Sequence, residues 1–218
     1  KENEKISYSF LEPGAAYFGS YEELEGLISP STAFKETARN AFDLISSYAN
    51  IKFEEISEYD EVVGDFRLGI TDEDHFSLPS SYAAYSQELS SGPKGGNIFF
   101  NGGIDKNNDG ICDFNQSSYL QKHSWNFITF IHEILHSLGL KHPHEVFDST
   151  DFEEGNSNKV SEEYDQYPYT IMSYNPLRDP NTNYSKYDGI LLNSGIGGQF
   201  YPSSPMLFDV MAIQDMYG

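Results

Sequence analysis

Apolar and polar positions along the chain follow two periods. Over 6–10 they alternate, Ile6, Tyr8 and Phe10 against Ser7 and Ser9, which predicts a strand. Phe34, Ala38, Phe42, Ile45 and Ala49 then recur at helical spacing, so a helix is expected over 31–49 with Pro30 just ahead of it. Short strands are expected over 51–56, 65–70, 82–86 and 97–101, separated by Gly, Pro and Ser clusters such as 90–96. A second helix is expected over 125–138. Ser118 and Gln121 have capping-box spacing and leave an earlier start open, and Gly139 suits a left-handed cap. Periodicity weakens after His142, through an acidic stretch that includes Asp148, Asp151, Glu153, Glu154, Glu162, Glu163 and Asp165. A last helix is expected over 205–217, with Ser204 as cap and Pro205 at its first position. Strands gather in the first half and helices bracket them, which favours an α+β fold over alternating βαβ units. One domain over 1–218, two-lobed around a cleft, is the expected organisation.

Charge narrows the partners. The 218 residues carry 34 acidic and 13 basic side chains, a net charge of −21. Such a surface repels phosphate backbones and anionic lipid, so neither nucleic acid nor a membrane surface is an expected partner, and a monomer is expected. With 16 Tyr and 16 Phe the chain is too aromatic to be disordered. A lone cysteine, Cys112, excludes an intrachain disulfide. No stretch is long and apolar enough to cross a bilayer, and residues 1–10 lack a signal-peptide core. The sequence starts without Met, which fits a mature form and an excised domain alike.

The chemistry concentrates in His132-Glu133-Ile134-Leu135-His136-Ser137-Leu138-Gly139-Leu140-Lys141-His142. His132 and His136 are four apart on the expected helix, so both imidazoles leave one face, a turn apart. Glu133 lies between them and can reach a metal-bound water. Gly139 allows a sharp turn that brings His142 round as a third nitrogen donor. Three protein ligands and an open fourth position describe a catalytic zinc, not a closed structural one. Ile128, Ile131, Ile134, Leu135 and Leu138 read as core. A recognition module that had lost turnover would have no need of Glu133.

The run His132-Glu133-x-x-His136-x-x-Gly139-x-x-His142 resembles the metzincin signature without departure. The downstream Tyr169-Thr170-Ile171-Met172-Ser173-Tyr174 resembles the methionine turn of that class. Pro143 and the Met172-Ser173-Tyr174 triplet are similar to the serralysin subfamily. So are 6–10 and 208–218, the latter resembling the helix that closes the serralysin catalytic domain. The resemblance implies a metzincin-type zincin, a mixed twisted sheet with long helices, acting as a secreted, bacterial-type zinc endopeptidase on extended polypeptide. It implies Glu133 as general base, Met172 as a structural floor, and Tyr174 as an additional zinc ligand and oxyanion donor. It also implies that 96–101 is the strand at the rim of the cleft, with Asn97, Ile98, Phe99 and Phe100 binding substrate; an ordinary core strand fits the same residues. Serralysins usually continue into a calcium-loaded β-roll of nonapeptide repeats. No such repeat occurs here, 195–198 included, so β-roll calcium is not carried over.

One other stretch attracts cations. Asp105, Asn107, Asp109 and Asp113 fall at positions 1, 3, 5 and 9 of an EF-hand-type loop, with Gly110 at 6 and the Ile111 carbonyl at 7. Gln116 stands where the bidentate glutamate belongs, so a calcium loop and a polar surface turn are both open readings. Cys112 within it is expected to be inert, and His75, His123 and His144 structural or exposed.

Overall fold

The computed structural model describes residues 5–15, 22–59, 62–90, 94–145, 159–175 and 201–218. Asp148, Asp151, Glu153, Glu154 and 195–198 therefore lie outside the described residues. Strand β1 is Lys5–Phe10, followed by a one-turn helix α1, Glu22–Glu25, and a two-residue strand β2, Leu27–Ile28. Neither α1 nor β2 is expected from the pattern, because elements this short have no period to read. Helix α2, Thr32–Ser46, starts where Ser31 Oγ accepts the Phe34 amide (3.2 Å) and turns Phe34, Ala38, Phe42 and Ile45 inward. It ends at Ser46, short of Ala49.

Strands β3, Lys52–Glu55, β4, Phe66–Thr71, β5, Ala84–Ser86, and β6, Asn97–Asn101, complete a mixed sheet in the order β3-β1-β4-β6-β5. Pairs β1–β3, β1–β4 and β4–β6 are parallel, β5 is antiparallel to β6, and β2 pairs antiparallel with the end of β4. The central strand β4 is buried at every position, as a strand covered on both faces must be.

Helix α3, Trp125–Ser137, is capped by Ser124, whose Oγ accepts the Phe127 amide (3.0 Å). The alternative start at Ser118 is not formed: Gln121 Nε2 bonds back to Ser117 O (2.7 Å) in a turn, and the chain reaches the helix only at Ser124. The last helix, α4, is Leu207–Tyr217. Ser204 and Pro205 stay outside it. The Asp209 carboxylate accepts the Met206 amide (2.8 Å) and so begins the first turn two residues later than expected.

Between sheet and helices lies an aromatic core. The ring centroid of Phe34 is 4.8 Å from that of Phe130 and 5.1 Å from that of Phe100, while Phe100 and Phe130 are 4.4 Å apart. Tyr8 stacks on Phe42 at 4.2 Å. Burying each such side chain contributes about 1.5–3 kcal/mol, which accounts for the aromatic richness and fixes α3 firmly against the sheet. This is an α+β fold with a mixed sheet. Its main helices are of ordinary length, at 15, 13 and 11 residues.

Candidate metal centre

Helix α3 ends in a Schellman turn: the Gly139 amide bonds to His136 O (2.9 Å) and the Leu140 amide to Leu135 O (3.0 Å). Gly139 sits at φ +104°, a region that side chains other than hydrogen resist. The reversal carries His142 back over the helix. His136 Nε2 and His142 Nε2 stand 2.9 Å apart, and His142 Nε2 lies 3.3 Å from His132 Nε2. These three each bring a ligand atom to within 4.8 Å of the others, close enough to share one metal ion.

Their outer nitrogens decide what the inner ones can do. His132 Nδ1 faces Ile171 O (2.9 Å), His136 Nδ1 faces Leu140 O (2.8 Å) and His142 Nδ1 faces Glu145 Oε1 (2.6 Å). All three partners are acceptors, so each Nδ1 carries the proton and each Nε2 points inward with a bare lone pair. Three lone pairs that face one another repel unless a cation joins them. Burial first, and then the neighbouring His136, pushes the His132 pKa down to about 3. Burial and then His142 push His136 down to about 4, so protons do not supply that cation near neutral pH. The residues fit a zinc ion.

Glu133 is buried, and its carboxyl pKa is pushed up to about 7, by desolvation above all, with Ser86 pulling the other way. Tyr174 also meets the triad, its hydroxyl 2.5 Å from His142 Nε2 and its ring 4.6 Å from the His142 ring. Burial, and then the carboxylates Glu133 and Glu145, raise the Tyr174 pKa. Met172 is 1% exposed and lies in the turn whose Ile171 carbonyl orients His132.

Three contributors escape the sequence reading. Glu145 holds His142, and its signal is only an acid three residues beyond a histidine. Asp209, 1% exposed, accepts from Thr170 Oγ1 (2.5 Å) and the Ile171 amide (2.9 Å), so α4 fixes the turn that orients His132. His144 lines the cleft with its ring 5.2 Å from that of His142 and nearly parallel to it, and its Nδ1 is 3.4 Å from Asp165. His75 instead pairs with Asp72 (2.7 Å), and His123 Nδ1 lies 3.2 Å from Tyr201 O. Cys112 is buried and its thiol pKa is pushed up to about 11 by desolvation, which makes it inert.

The rim strand needs correcting. Asn97, Ile98, Phe99 and Phe100 belong to β6, which is buried along its length and paired on both sides, by β4 and β5. Those residues have no free edge to offer. The edge is β5. Asn101 N bonds to Ala83 O (2.8 Å) and Gln87 N to Asn97 O (2.9 Å), so positions 83, 85 and 87 face β6. By alternation the backbone groups of Ala84 and Ser86 point the other way, and no described strand takes them. Two adjoining cavities, of about 680 and 360 Å³, share Tyr82, Ala84, Glu133, His142, Glu145 and Tyr174. Space for a ligand therefore continues on both sides of the triad.

No family model matches the chain. Curated relatives do. It is 31% identical over 223 residues to a serralysin of Photorhabdus sp. (strain Az29), across all of this chain and 39% of that protein. It is 28% identical over 206 residues to a serralysin of Proteus mirabilis, across 84% of this chain and 34% of that protein. It is 36% identical over 94 residues to the metalloprotease AprA of Pseudomonas entomophila, across 41% of this chain and 16% of the relative. The chain thus spans about two fifths or less of these relatives' lengths. From the strand at its start to the helix over 207–217, with the histidine triad and methionine turn between, the chain is a serralysin-like metzincin sequence.

Proposed function

We propose that the protein is a zinc-dependent endopeptidase that acts outside the cell on extended polypeptides. The observation that carries this is the convergence of three bare Nε2 atoms in a cleft that Glu133 also lines. His132, His136 and His142 would hold the ion. Zinc so bound would supply Lewis acidity to the scissile carbonyl and would bring the pKa of its water to about 7.

Glu133 would take a proton from the attacking water and hand it to the leaving amine, since its carboxyl lies buried in the cleft beside the triad. Tyr174 would serve as an added ligand at rest and would turn its hydroxyl to the developing oxyanion. The substrate backbone pairs with the free edge of β5 through Ala84 and Ser86, and the residues on either side of the scissile bond occupy the two cavities. A groove open past the triad in both directions suits internal bonds, which supports an endopeptidase between two lobes. No described helix is long and apolar enough to cross a membrane.

The purified protein should digest casein, stop when zinc is chelated, and recover when zinc returns. Glu133→Gln should retain stoichiometric zinc and lose at least about 10³-fold in kcat. Undiminished proteolysis by that variant would remove Glu133 from the chemistry.

A further inference from the structure

The connection between β6 and α3 carries a feature the catalytic site does not use. Asp105 Oδ1 and Oδ2 accept the Asp109 (3.2 Å) and Gly110 (2.8 Å) amides, and Asp109 Oδ1 accepts the Ile111 amide (2.9 Å). Positive φ at Asn108 (56°) and Gly110 (80°) turns the loop tightly. Hydrogen bonds of this kind alone describe a surface turn. Asp113 does not fit that description. It is 0% exposed, its Oδ1 accepts the Lys106 amide of the same loop (3.3 Å), and its Oδ2 is buried with no partner. A buried carboxylate oxygen without a donor, on a side chain whose other oxygen is tied into an acidic loop, is unfavourable unless a cation supplies the missing charge.

We infer that the loop is a calcium site, with Asp105, Asn107, Asp109, the Ile111 carbonyl, Asp113 and Gln116 as its oxygen donors. Gln116 replaces the usual glutamate without loss of reach. Its Nε2 lies 2.9 Å from Ile111 O and 3.2 Å from Asp109 Oδ1, so an amide N–H stands among oxygens that a cation would gather. A half-turn of that amide presents Oε1 instead. All six donors are oxygens, which selects a hard cation, and a set of uneven reach suits calcium better than octahedral magnesium. The three carboxylates do not lie within 4.8 Å of one another as the histidines do, so binding tightens the loop. Its base is already fixed: Asp113 N bonds to Ile104 O (2.7 Å), Phe114 is buried in the aromatic core, and Asn115 Oδ1 accepts the Ser31 amide (2.8 Å).

The single tryptophan provides the readout, because Lys106 Nζ lies 4.4 Å above the Trp125 ring. With the zinc-loaded protein, excitation at Trp125 should sensitise the emission of terbium, a calcium surrogate. The signal should saturate at one equivalent and be displaced by calcium. Asp109→Asn, an exposed change that leaves the core intact, should weaken half-saturation by about tenfold or more. Asp105→Asn with Asp109→Asn should abolish the signal. Calcium should also raise the unfolding temperature of the parent and leave that of the double variant unmoved. Absent emission, or emission that the double variant keeps, would overturn the assignment.

Discussion

Gly139 shows how much chemistry one residue's backbone can carry. Its φ of +104° completes the turn that returns His142 to the helix, and the same turn places Leu140 O on His136 Nδ1. Gly139→Ala should therefore cost about 1–2 kcal/mol of stability and weaken zinc binding as well, although no ligand is changed. Urea unfolding and a zinc competition assay would check both, and a stability loss with unaltered zinc affinity would separate the turn from the site. Tyr174 raises a different question, because it is 58% exposed yet its hydroxyl meets His142. Tyr174→Phe should lower kcat by roughly 10²–10³-fold, the effect of removing one oxyanion donor, with little change in KM. Equal changes in both would mean that it binds substrate without stabilising the oxyanion.

At the scale of elements, the methionine turn is held by a helix that sequence spacing does not connect to it. Asp209 on α4 accepts from Thr170 Oγ1, Ile171 N and Met206 N. Asp209→Ala strands two buried polar groups and a part-buried one and should destabilise the fold by about 3 kcal/mol. Because Ile171 O orients His132, zinc affinity should fall too, measurable by competition with a chelator. What the sequence makes readable follows from range. The triad is legible because helix geometry alone relates His132 to His136, and one glycine relates both to His142. Strand 97–101 is legible as a short apolar run bounded by turn residues, and α2 from its helical spacing after Pro30. The cap of α3, by contrast, is Ser124 and not the capping-box spacing at Ser118. Which strand forms the sheet edge is not legible, since β6 and β5 differ only in what pairs with them from far away in the chain. Asp209 is hidden for the same reason: its partners are set by tertiary packing.

Across the whole molecule, the cavities on both sides of the triad set a preference for length. Peptides that extend several residues beyond the scissile bond in both directions should exceed dipeptides in kcat/KM by at least about tenfold, remote binding being spent on the transition state. A dipeptide cleaved as fast as a hexapeptide would contradict a through groove. Acid should expose the cost of burying the two imidazoles. In the folded, metal-free protein His132 and His136 have pKa values pushed down to about 3 and 4, against about 6.5 when unfolded. Depressed values mean that the unfolded chain binds protons first, so stability is complete above about pH 6.5 and is lost as the pH falls toward 4. The chelated parent should thus lose more unfolding temperature between pH 7.5 and 5 than a chelated His132→Asn, His136→Asn variant, which has no imidazole at these positions to protonate. Parallel losses would place the acid sensitivity elsewhere.

The clamp by Asp209 also bears on biosynthesis. The histidines and their methionine turn leave the ribosome well before the helix that steadies them, so a nascent chain has its ligands in hand but not in register. Under the proposed function, competence to cut should arrive late and abruptly, when α4 docks, and so spare the synthesising machinery.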